Sequence, residues 1–376
     1  MSCRLEILPV ILLLLAVSCG KLADPSRLSG ADSSRLSGAD PEPAAVEFSA
    51  YAGSAATKAV SYGPSDILGR WDSEASAFVP GTGIGVFAFY QKAKSNGWPS
   101  DFDKYTDNPN FMYNQKLERT TTDGSSFKFE YSPRKYWPNN TNDQLSFFAY
   151  APYKEGTAWE DLQMEVSLKG DRISRRYVVE PKVEDQTDFM WADPVLNLKK
   201  TDLSGPIDFE FKHLCAKIGV SCKVNTDDDN AFVTVDRVVV RAKFNVSGEY
   251  VYDTAAGTAA WETLAPSALA EDYVQFNAGS PEDGQRVRTE TANVGGESSY
   301  LFPLPGVQDI VLSAVISQHN GDNIISGEAT ETFPSMRLEE GKAYNFFLNI
   351  TVKPIDIGTV AVAEWSVEKS TDCPIP

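Results

Sequence analysis

Cys19 lies in the stretch LLLLAVSCGK, Leu12–Lys21, where its setting points to a small set of chemical roles. The thiol can be a core side chain, half of a disulfide, a metal ligand or an attachment point for lipid. An almost wholly apolar run, Ile7–Ala16, precedes it, and Arg4 gives the segment a positive start. The run is too short for a membrane helix, which needs about 20 apolar residues. It has the length of the apolar core of a secretory signal, followed by small residues.

The four residues Ala16-Val17-Ser18-Cys19 resemble a bacterial lipobox. In that motif a signal peptidase cuts before the cysteine and diacylglycerol is attached to its sulfur, although leucine is usual where Ala16 stands. The alternative is an ordinary signal peptide with a nearby cysteine. Each buried methylene of a lipid contributes about 0.8 kcal/mol, and more than one chain gives a stable anchor. We therefore expect residues 1–18 to be a lipoprotein signal peptide and Cys19 to be the lipidation site.

Residues 19–43 have the composition of a tether. The sequence Ser-Arg-Leu-Ser-Gly-Ala-Asp occurs twice between Ser26 and Asp40, and the stretch ends in prolines. It has too few large apolar side chains to offset the entropy of ordering it. We expect a flexible link between the lipid and the folded body.

The remaining residues, 44–376, are enough for two domains. The chain has a formal net charge of −18, which argues against nucleic-acid binding because that function needs a basic surface. The sequence contains no second long apolar run. We expect a folded body that lies outside the membrane.

Cysteine and histidine give no catalytic pattern. Cys215 and Cys222 lie on one strand-like segment, where seven extended residues would separate them by roughly 23 Å, far beyond disulfide reach. We expect both to be small buried hydrophobic side chains, and no required disulfide. His213 and His319 lack partners at metal-ligand spacing, so we interpret them as hydrogen-bonded structural residues. No metal, cofactor or enzyme activity is expected.

Apolar residues alternate with polar ones along most of the body, which is typical of strands with one buried face. Phe127, Phe129 and Tyr131 follow this period, as do the alternate residues of Tyr344–Val352. Many such runs, separated by turn residues, predict an all-β protein of packed antiparallel sheets. Only Trp159–Val166 and Ala265–Tyr273 have short helical patterns.

The apolar phase changes near His213. Phe209 and Phe211 share one face, whereas Leu214 and the following alternate residues share the other, so we expect a bulge or a sandwich corner there. We place the boundary between two strand-rich halves, 44–204 and 205–376, at the polar stretch near Ser204.

Several phrases resemble the fimbrillin-like lipoproteins of Bacteroidetes, the structural and accessory proteins of type V pili. In order, they are NPNFMYNQKL (108–117), EYSPRKYWPNNTNDQLSFFAYAPY (130–153), DFMWAD (188–193), FEFKHLCAKIGV (209–220) and EGKAYNFFLNITV (340–352). The resemblance implies two consecutive transthyretin-like β-sandwiches, an outer-membrane lipoprotein precursor, and a role in surface fibres and adhesion. The partners it implies are other pilus subunits, the outer membrane and a host or bacterial surface ligand.

The resemblance also implies polymerisation by strand exchange, in which a protease removes a subunit's first strand and a strand of another subunit replaces it. The candidate first strand is Ala44–Ala52, with Val46, Phe48 and Ala50 facing the groove. The candidate cleavage sites are Lys58 and Arg70. A permanent first strand followed by an ordinary loop is the alternative.

The candidate donor strand lies within Gly358–Ser370. Its more apolar phase consists of Ala361, Ala363, Trp365 and Val367. In the alternative interpretation, Trp365 caps the core of its own domain.

The rival function is that of a surface glycan-binding lipoprotein, which would need exposed, coplanar aromatic rings. Trp137, Tyr150 and Tyr153 are the candidate rings, but their dense apolar setting favours core packing.

Overall fold

The computed structural model describes residues 44–52, 70–72, 77–79, 81–92, 109–120, 128–156, 166–169, 172–226, 228–253, 256–296, 299–350 and 356–364. The strands, in chain order, are β1 (Phe48–Ala52), β2 (Arg70–Asp72), β3 (Ala77–Val79), β4 (Ile84–Gln91), β5 (Met112–Thr120), β6 (Lys128–Glu130), β7 (Gln144–Ala151), β8 (Val166–Lys169), β9 (Arg172–Val178), β10 (Met190–Ala192), β11 (Val195–Leu198), β12 (Ile207–His213), β13 (Lys217–Val224), β14 (Ala231–Ala242), β15 (Asn245–Asp253), β16 (Thr258–Pro266), β17 (Glu271–Asn277), β18 (Gln285–Arg286), β19 (Ala292–Asn293), β20 (Gly306–Asn320), β21 (Asn323–Leu338), β22 (Lys342–Ile350) and β23 (Asp356–Glu364).

The largest sheet has the strand order β1-β12-β10-β7-β4-β5-β6, and β11 also pairs with β7. Strands β1 and β12 are parallel, and the neighbouring pairs from β12 to β6 are antiparallel. Strands β4 and β7 are buried along almost their whole length, because side chains of both phases are covered. One phase of β7, including Phe147, packs in a first core and the other, including Phe148, packs in a third core.

The second core lies between two further sheets. Their strand orders are β19-β13-β22-β23 and β17-β14-β20-β21, with β18 also paired to β14. Alternate side chains of facing strands meet there, including Ile218, Val238, Leu312 and Phe346. This is the packing of a β-sandwich, in which each sheet buries one face.

The third core packs on the opposite face of the largest sheet from the first core. It includes Phe89, Tyr150 and Trp191 of that sheet, together with Tyr177 and Tyr250. Tyr177 and Tyr250 belong to a four-stranded sheet with the order β16-β15-β9-β8. The prediction of an all-β protein built from packed sheets is therefore confirmed.

The change of apolar phase near His213 marks a corner. Strand β12 ends at His213 in the largest sheet, and β13 begins at Lys217 in a sheet of the second core. The predicted sandwich corner is confirmed. The division at residues 204 and 205 remains a prediction, and strand pairing crosses that point in β1–β12 and in β9–β15. All described residues belong to one compact unit, Pro43–Pro376.

The predicted helix at Ala265–Tyr273 is wrong. Residues 265 and 266 end β16, and β17 begins at Glu271 and pairs with β14. The alanine-rich sequence has a local preference for helix, but pairing with β14 and burial of Tyr273 in the second core override it. Residues 159–165 of the other predicted helix lie outside the described residues, whereas Val166 begins β8. No described segment forms a helix long and apolar enough to cross a membrane.

Candidate functional site

The candidate first strand, Ala44–Ala52, is paired along one edge with β12. The register runs in parallel from Phe48 opposite Ile207 to Ala52 opposite Phe211. Just before β1, the backbone N–H of Ile207 donates to the carbonyl oxygen of Glu47 at a distance of 2.8 Å. One edge of the first strand is therefore a regular sheet ladder.

The start of the first strand is also paired, on the opposite edge. Residues Tyr131–Trp137, which we call the strap, run beside it. The N–H of Val46 donates to the carbonyl of Lys135, and the N–H of Trp137 donates to the carbonyl of Ala44, both at 2.9 Å. Ala45 and Tyr136 form an antiparallel bridge between these two bonds. The strap therefore pairs with Ala44–Val46, whereas β1 itself is the terminal strand of the largest sheet and pairs with β12.

A side chain adds a third bond from the strap. The hydroxyl of Tyr131 donates to the carbonyl oxygen of Val46 at 2.8 Å and accepts a bond from the N–H of Lys135 at 3.3 Å. Burial is the main cause that raises the pKa of Tyr131 above its ordinary value. The neutral hydroxyl is consequently the form that holds the strand at neutral pH.

Alternate side chains of the first strand enter the first core. Val46 is fully buried and Phe48 is 4% exposed, whereas Ala50 is half-buried and packs at the edge of the cluster. The Phe48 ring lies 5.5 Å from Tyr131, 5.7 Å from Phe147 and 5.6 Å from Phe209, measured between ring centroids. Full burial of a valine or phenylalanine side chain contributes roughly 1.5–3 kcal/mol. The role of these three residues in strand exchange stays a prediction.

The strap is the part of the site that sequence reasoning missed. The apolar setting of Trp137 predicted core packing, and its side chain is 6% exposed and packs against Phe147. The pairing with the first strand was not predicted. It joins residues about 90 positions apart, and the periodicity of either segment carries no information about such a partner.

The candidate cleavage sites are Lys58 and Arg70. Lys58 lies outside the described residues. Arg70 begins β2, where its backbone pairs with Val79 of β3. A protease acts on extended, accessible backbone, and pairing in a ladder makes Arg70 a poorer substrate than an unpaired loop residue would be.

The candidate donor segment begins in β23, an edge strand that pairs antiparallel with β22 of its own chain. Val360 is opposite Phe346 and packs against the second core, whereas Ala361 is opposite Asn345. Ala363 is opposite Ala343, and Glu364 is opposite Lys342. Trp365, Val367 and the lipidation candidate Cys19 lie outside the described residues.

Other polar and thiol groups are accounted for by packing. His213 Nδ1 lies 2.6 Å from Asp188 Oδ2, with both side chains buried. His319 Nε2 lies 3.1 Å from the hydroxyl of Thr234. Cys215 and Cys222 are free and buried, and burial raises the pKa of Cys222 to about 11. Among the described residues, no group of three His, Cys, Asp or Glu side chains is placed to hold a metal ion.

The aromatic candidates for glycan stacking are mostly enclosed. Tyr150 is 1% exposed and donates through its hydroxyl to Asn114 Oδ1 at 2.6 Å. Trp137 is buried as described above, so neither ring presents a face to solvent. Tyr153 is half-buried, with Lys116 Nζ 5.6 Å from its ring centroid. These three rings do not form the exposed coplanar platform that sugar stacking needs.

A family model described as fimbrillin-like matches residues 73–365. The crystal structure of a fimbrial protein from Bacteroides vulgatus ATCC 8482 is 18% identical, covers 76% of this chain and 93% of that chain, and has a TM-score of 0.53. The crystal structure of a proposed cell adhesion protein from Bacteroides uniformis ATCC 8492 is 16% identical. It covers 86% of this chain and 98% of that chain, with a TM-score of 0.44. No curated protein sequence matches.

The family match extends over most of the chain. It includes the second and third cores and the part of the first core that lies outside the first strand. The Bacteroides vulgatus structure supports the same fold, because the two chains align over most of both lengths. The chain belongs to the fimbrillin-like family.

Proposed function

We propose that this chain is a surface-exposed lipoprotein that serves as a structural or accessory subunit of a type V pilus and contributes to cell adhesion. The observation that carries the proposal is the first strand with its two edges. Its backbone is bonded to β12 on one side and to the strap on the other, while Val46 and Phe48 fill the first core. The role is mechanical and needs no cofactor, metal or catalytic residue.

Removal of Ala44–Ala52 would open a slot, which we define as the space between β12 and the strap. The rings of Tyr131, Phe147 and Phe209 would lose their contact with Phe48. Backbone groups of β12 and the strap would lose their partners at the same time. Unpaired strand edges and exposed apolar surface both favour capture of another strand. The open slot therefore strongly favours binding of a strand from another subunit.

Processing and assembly follow in sequence. Cys19 carries the lipid that takes the precursor to the outer membrane, where the subunit is exposed at the surface. Cleavage after Lys58, or after Arg70, cuts between the first strand and the rest of the chain. The C-terminal segment of another subunit, of the same or a related chain, then fills the slot. After cleavage the lipid leaves with the first strand, whereas an uncleaved subunit stays anchored.

The proposal is tested by limited trypsin treatment of the folded chain, followed by size measurement and mass spectrometry. We expect loss of the fragment that contains the first strand and formation of multimers. A Lys58→Gln, Arg70→Gln variant is the matched control and should remain monomeric. A chain truncated after Gly358 should be trimmed without assembling. Monomers from the trimmed parent chain would contradict a polymerising role.

A further inference from the structure

We propose that the strand filling the slot runs in the opposite direction to the strand it replaces. Residues 363–367 of a second copy would lie antiparallel to β12, whereas residues 46–50 lie parallel to it. The inference rests on the proposed function and goes beyond it by assigning the direction and register of the incoming segment.

The slot presents three places of different size along its length. The first encloses Val46 completely, and the second encloses the Phe48 ring among three aromatic rings. The third holds Ala50, a small side chain that is half-buried at the edge of the core. From start to end, the slot therefore fits a valine, a large aromatic residue and an alanine.

The candidate donor supplies the same three sizes in reverse order. Read forward, its alternate residues are Ala363, Trp365 and Val367. Forward insertion would put alanine where the slot fits valine, which leaves a cavity, and valine where it fits alanine, which overpacks the core edge. Reverse insertion matches valine with valine, tryptophan with phenylalanine and alanine with alanine.

The side chain that reverse insertion brings to the end of the slot is compatible with this direction. Reverse insertion places Lys369 where Ala44 lies, and Ala44 is half-buried at the rim. A lysine stem packs along apolar surface while its ammonium group reaches water.

The backbone edges of the slot accept either direction. In the first strand, the N–H and carbonyl of Val46 both bond to the strap, whereas the carbonyl of Glu47 bonds to β12. Successive residues of any extended strand address opposite edges in this way. Reverse insertion makes the ladder with β12 antiparallel and the bridge with the strap parallel, so backbone pairing favours neither direction and side-chain size decides.

The donor phase is also separate from the phase that its own chain uses. Val360 packs against the second core opposite Phe346, whereas Ala361 is opposite Asn345. Residues two apart in a strand share a face, so residues 361 and 363 belong to the phase that does not contain Val360. Ala363 pairs with Ala343 of β22 along one edge, and β23 is the terminal strand of its sheet among the described residues. Its other edge is therefore the one that pairs with β12 of a second copy.

Cross-linking in trimmed, full-length protein distinguishes the two directions. Reverse insertion places Glu368 at the position of Ala45, beside Tyr136. Forward insertion places Glu368 at the position of Tyr51, beside Glu210. Both strap and β12 positions are exposed, and directly paired residues lie within disulfide reach. The two test proteins therefore combine Glu368→Cys with either Tyr136→Cys or Glu210→Cys.

Both test proteins carry Cys373→Ser, and trimming removes Cys3 and Cys19. Cys215 and Cys222 are buried and should not compete. We expect the Tyr136→Cys protein to give intermolecular cross-links at least about tenfold more abundant than the Glu210→Cys protein, from the combined cavity and overpacking penalties. Untrimmed protein is the matched control and should not cross-link, because the first strand still occupies the slot.

A second pair of substitutions tests the reason for the direction. Ala363→Val combined with Val367→Ala reverses the order of sizes in the donor and should move the predominant cross-link from position 136 to position 210. Unchanged cross-linking would overturn the size argument. Predominant or equal cross-linking at position 210 in the unswapped donor would overturn the proposed direction. Multimers without either cross-link would overturn the register, whereas absence of multimers in the trimmed parent chain would refute the proposed function as well.

Discussion

Tyr131 and Val46 lie 85 positions apart in the sequence, and the Tyr131 hydroxyl donates a 2.8 Å hydrogen bond to the Val46 carbonyl oxygen. The same tyrosine ring contacts Phe48 edge-on, with 5.5 Å between centroids. The Tyr131 side chain thus contacts both the backbone of the first strand and a side chain of that strand that faces the core. The strap is therefore a specific partner of the first strand rather than a passing loop.

Tyr131→Phe keeps the ring and removes the hydroxyl. We expect the free energy of unfolding to fall by about 0.5–1.5 kcal/mol, the usual net contribution of one hydrogen bond. Urea unfolding measures this loss, and hydrogen exchange at the first strand should accelerate. Tyr136→Phe is the matched control, because Tyr136 is 47% exposed, and its effect should stay within about 0.5 kcal/mol. Equal losses in the two variants would contradict the assigned bond.

Phe48→Ala removes the ring that fills the aromatic part of the first core. Large-to-small changes of this kind cost about 3–5 kcal/mol, because transfer energy is lost and a cavity remains. We expect a loss in this range by urea unfolding, together with faster trypsin release of the first strand. The neighbouring Glu47→Ala changes an exposed side chain and should alter stability by less than about 0.5 kcal/mol. A Phe48→Ala loss below about 1 kcal/mol would be inconsistent with the observed packing.

Gly85→Ala tests the contact between β4 and β7. A Cβ atom at Gly85 would lie 2.1 Å from Tyr150 Cε1, so the buried ring would have to move. Overpacking of this kind typically costs about 1–3 kcal/mol. Gly205→Ala is the control, because nothing lies within 4 Å of the added atom, and its effect should be small. Thermal or urea unfolding measures both, and similar stability of the two variants would contradict the close packing on Tyr150.

Arg175→Met tests an unusual buried charge in the third core. The Arg175 side chain is fully buried, none of its three nitrogens has a hydrogen-bond partner, and its guanidinium carbon lies 3.3 Å from the Trp191 ring centroid. Burial lowers the pKa of Arg175, which reflects the cost of holding the charge there. Replacing a poorly compensated buried charge with an apolar residue of similar length should leave stability unchanged or raise it by about 1–4 kcal/mol.

The exposed neighbour Arg176→Met is the control for Arg175→Met and should change the free energy of unfolding by less than about 0.5 kcal/mol. A loss of more than about 2 kcal/mol in Arg175→Met, with the control unchanged, would mean that the guanidinium stabilises the third core.

The sequence predicted features that local periodicity encodes. The change of phase at His213 identified the corner between β12 and β13, whereas the first strand was predicted from the family resemblance. Burial on both faces of β7 agrees with its continuous apolar run. These features depend on which side chains are buried, and burial restricts the residue types that occur at a position.

Features set by distant pairing were not predictable in the same way. The strap bonds to a strand far away in the sequence, and a helical pattern at Ala265–Tyr273 gave way to pairing of β17 with β14. The hydrogen bond between His213 and Asp188 likewise joins two separate segments. Residue type indicates that such groups are buried or paired, but it does not identify the partner residue.

The central claim is that the chain becomes part of a fibre once its first strand has been removed. Electron microscopy of cells expressing a copy tagged in an exposed loop, with immunogold labelling before and after protease treatment, tests it most directly. We predict labels at the membrane before treatment and on fibres after it, along their length for a structural subunit or at an end for an accessory one. Labels that remain only at the membrane after verified cleavage would contradict the claim.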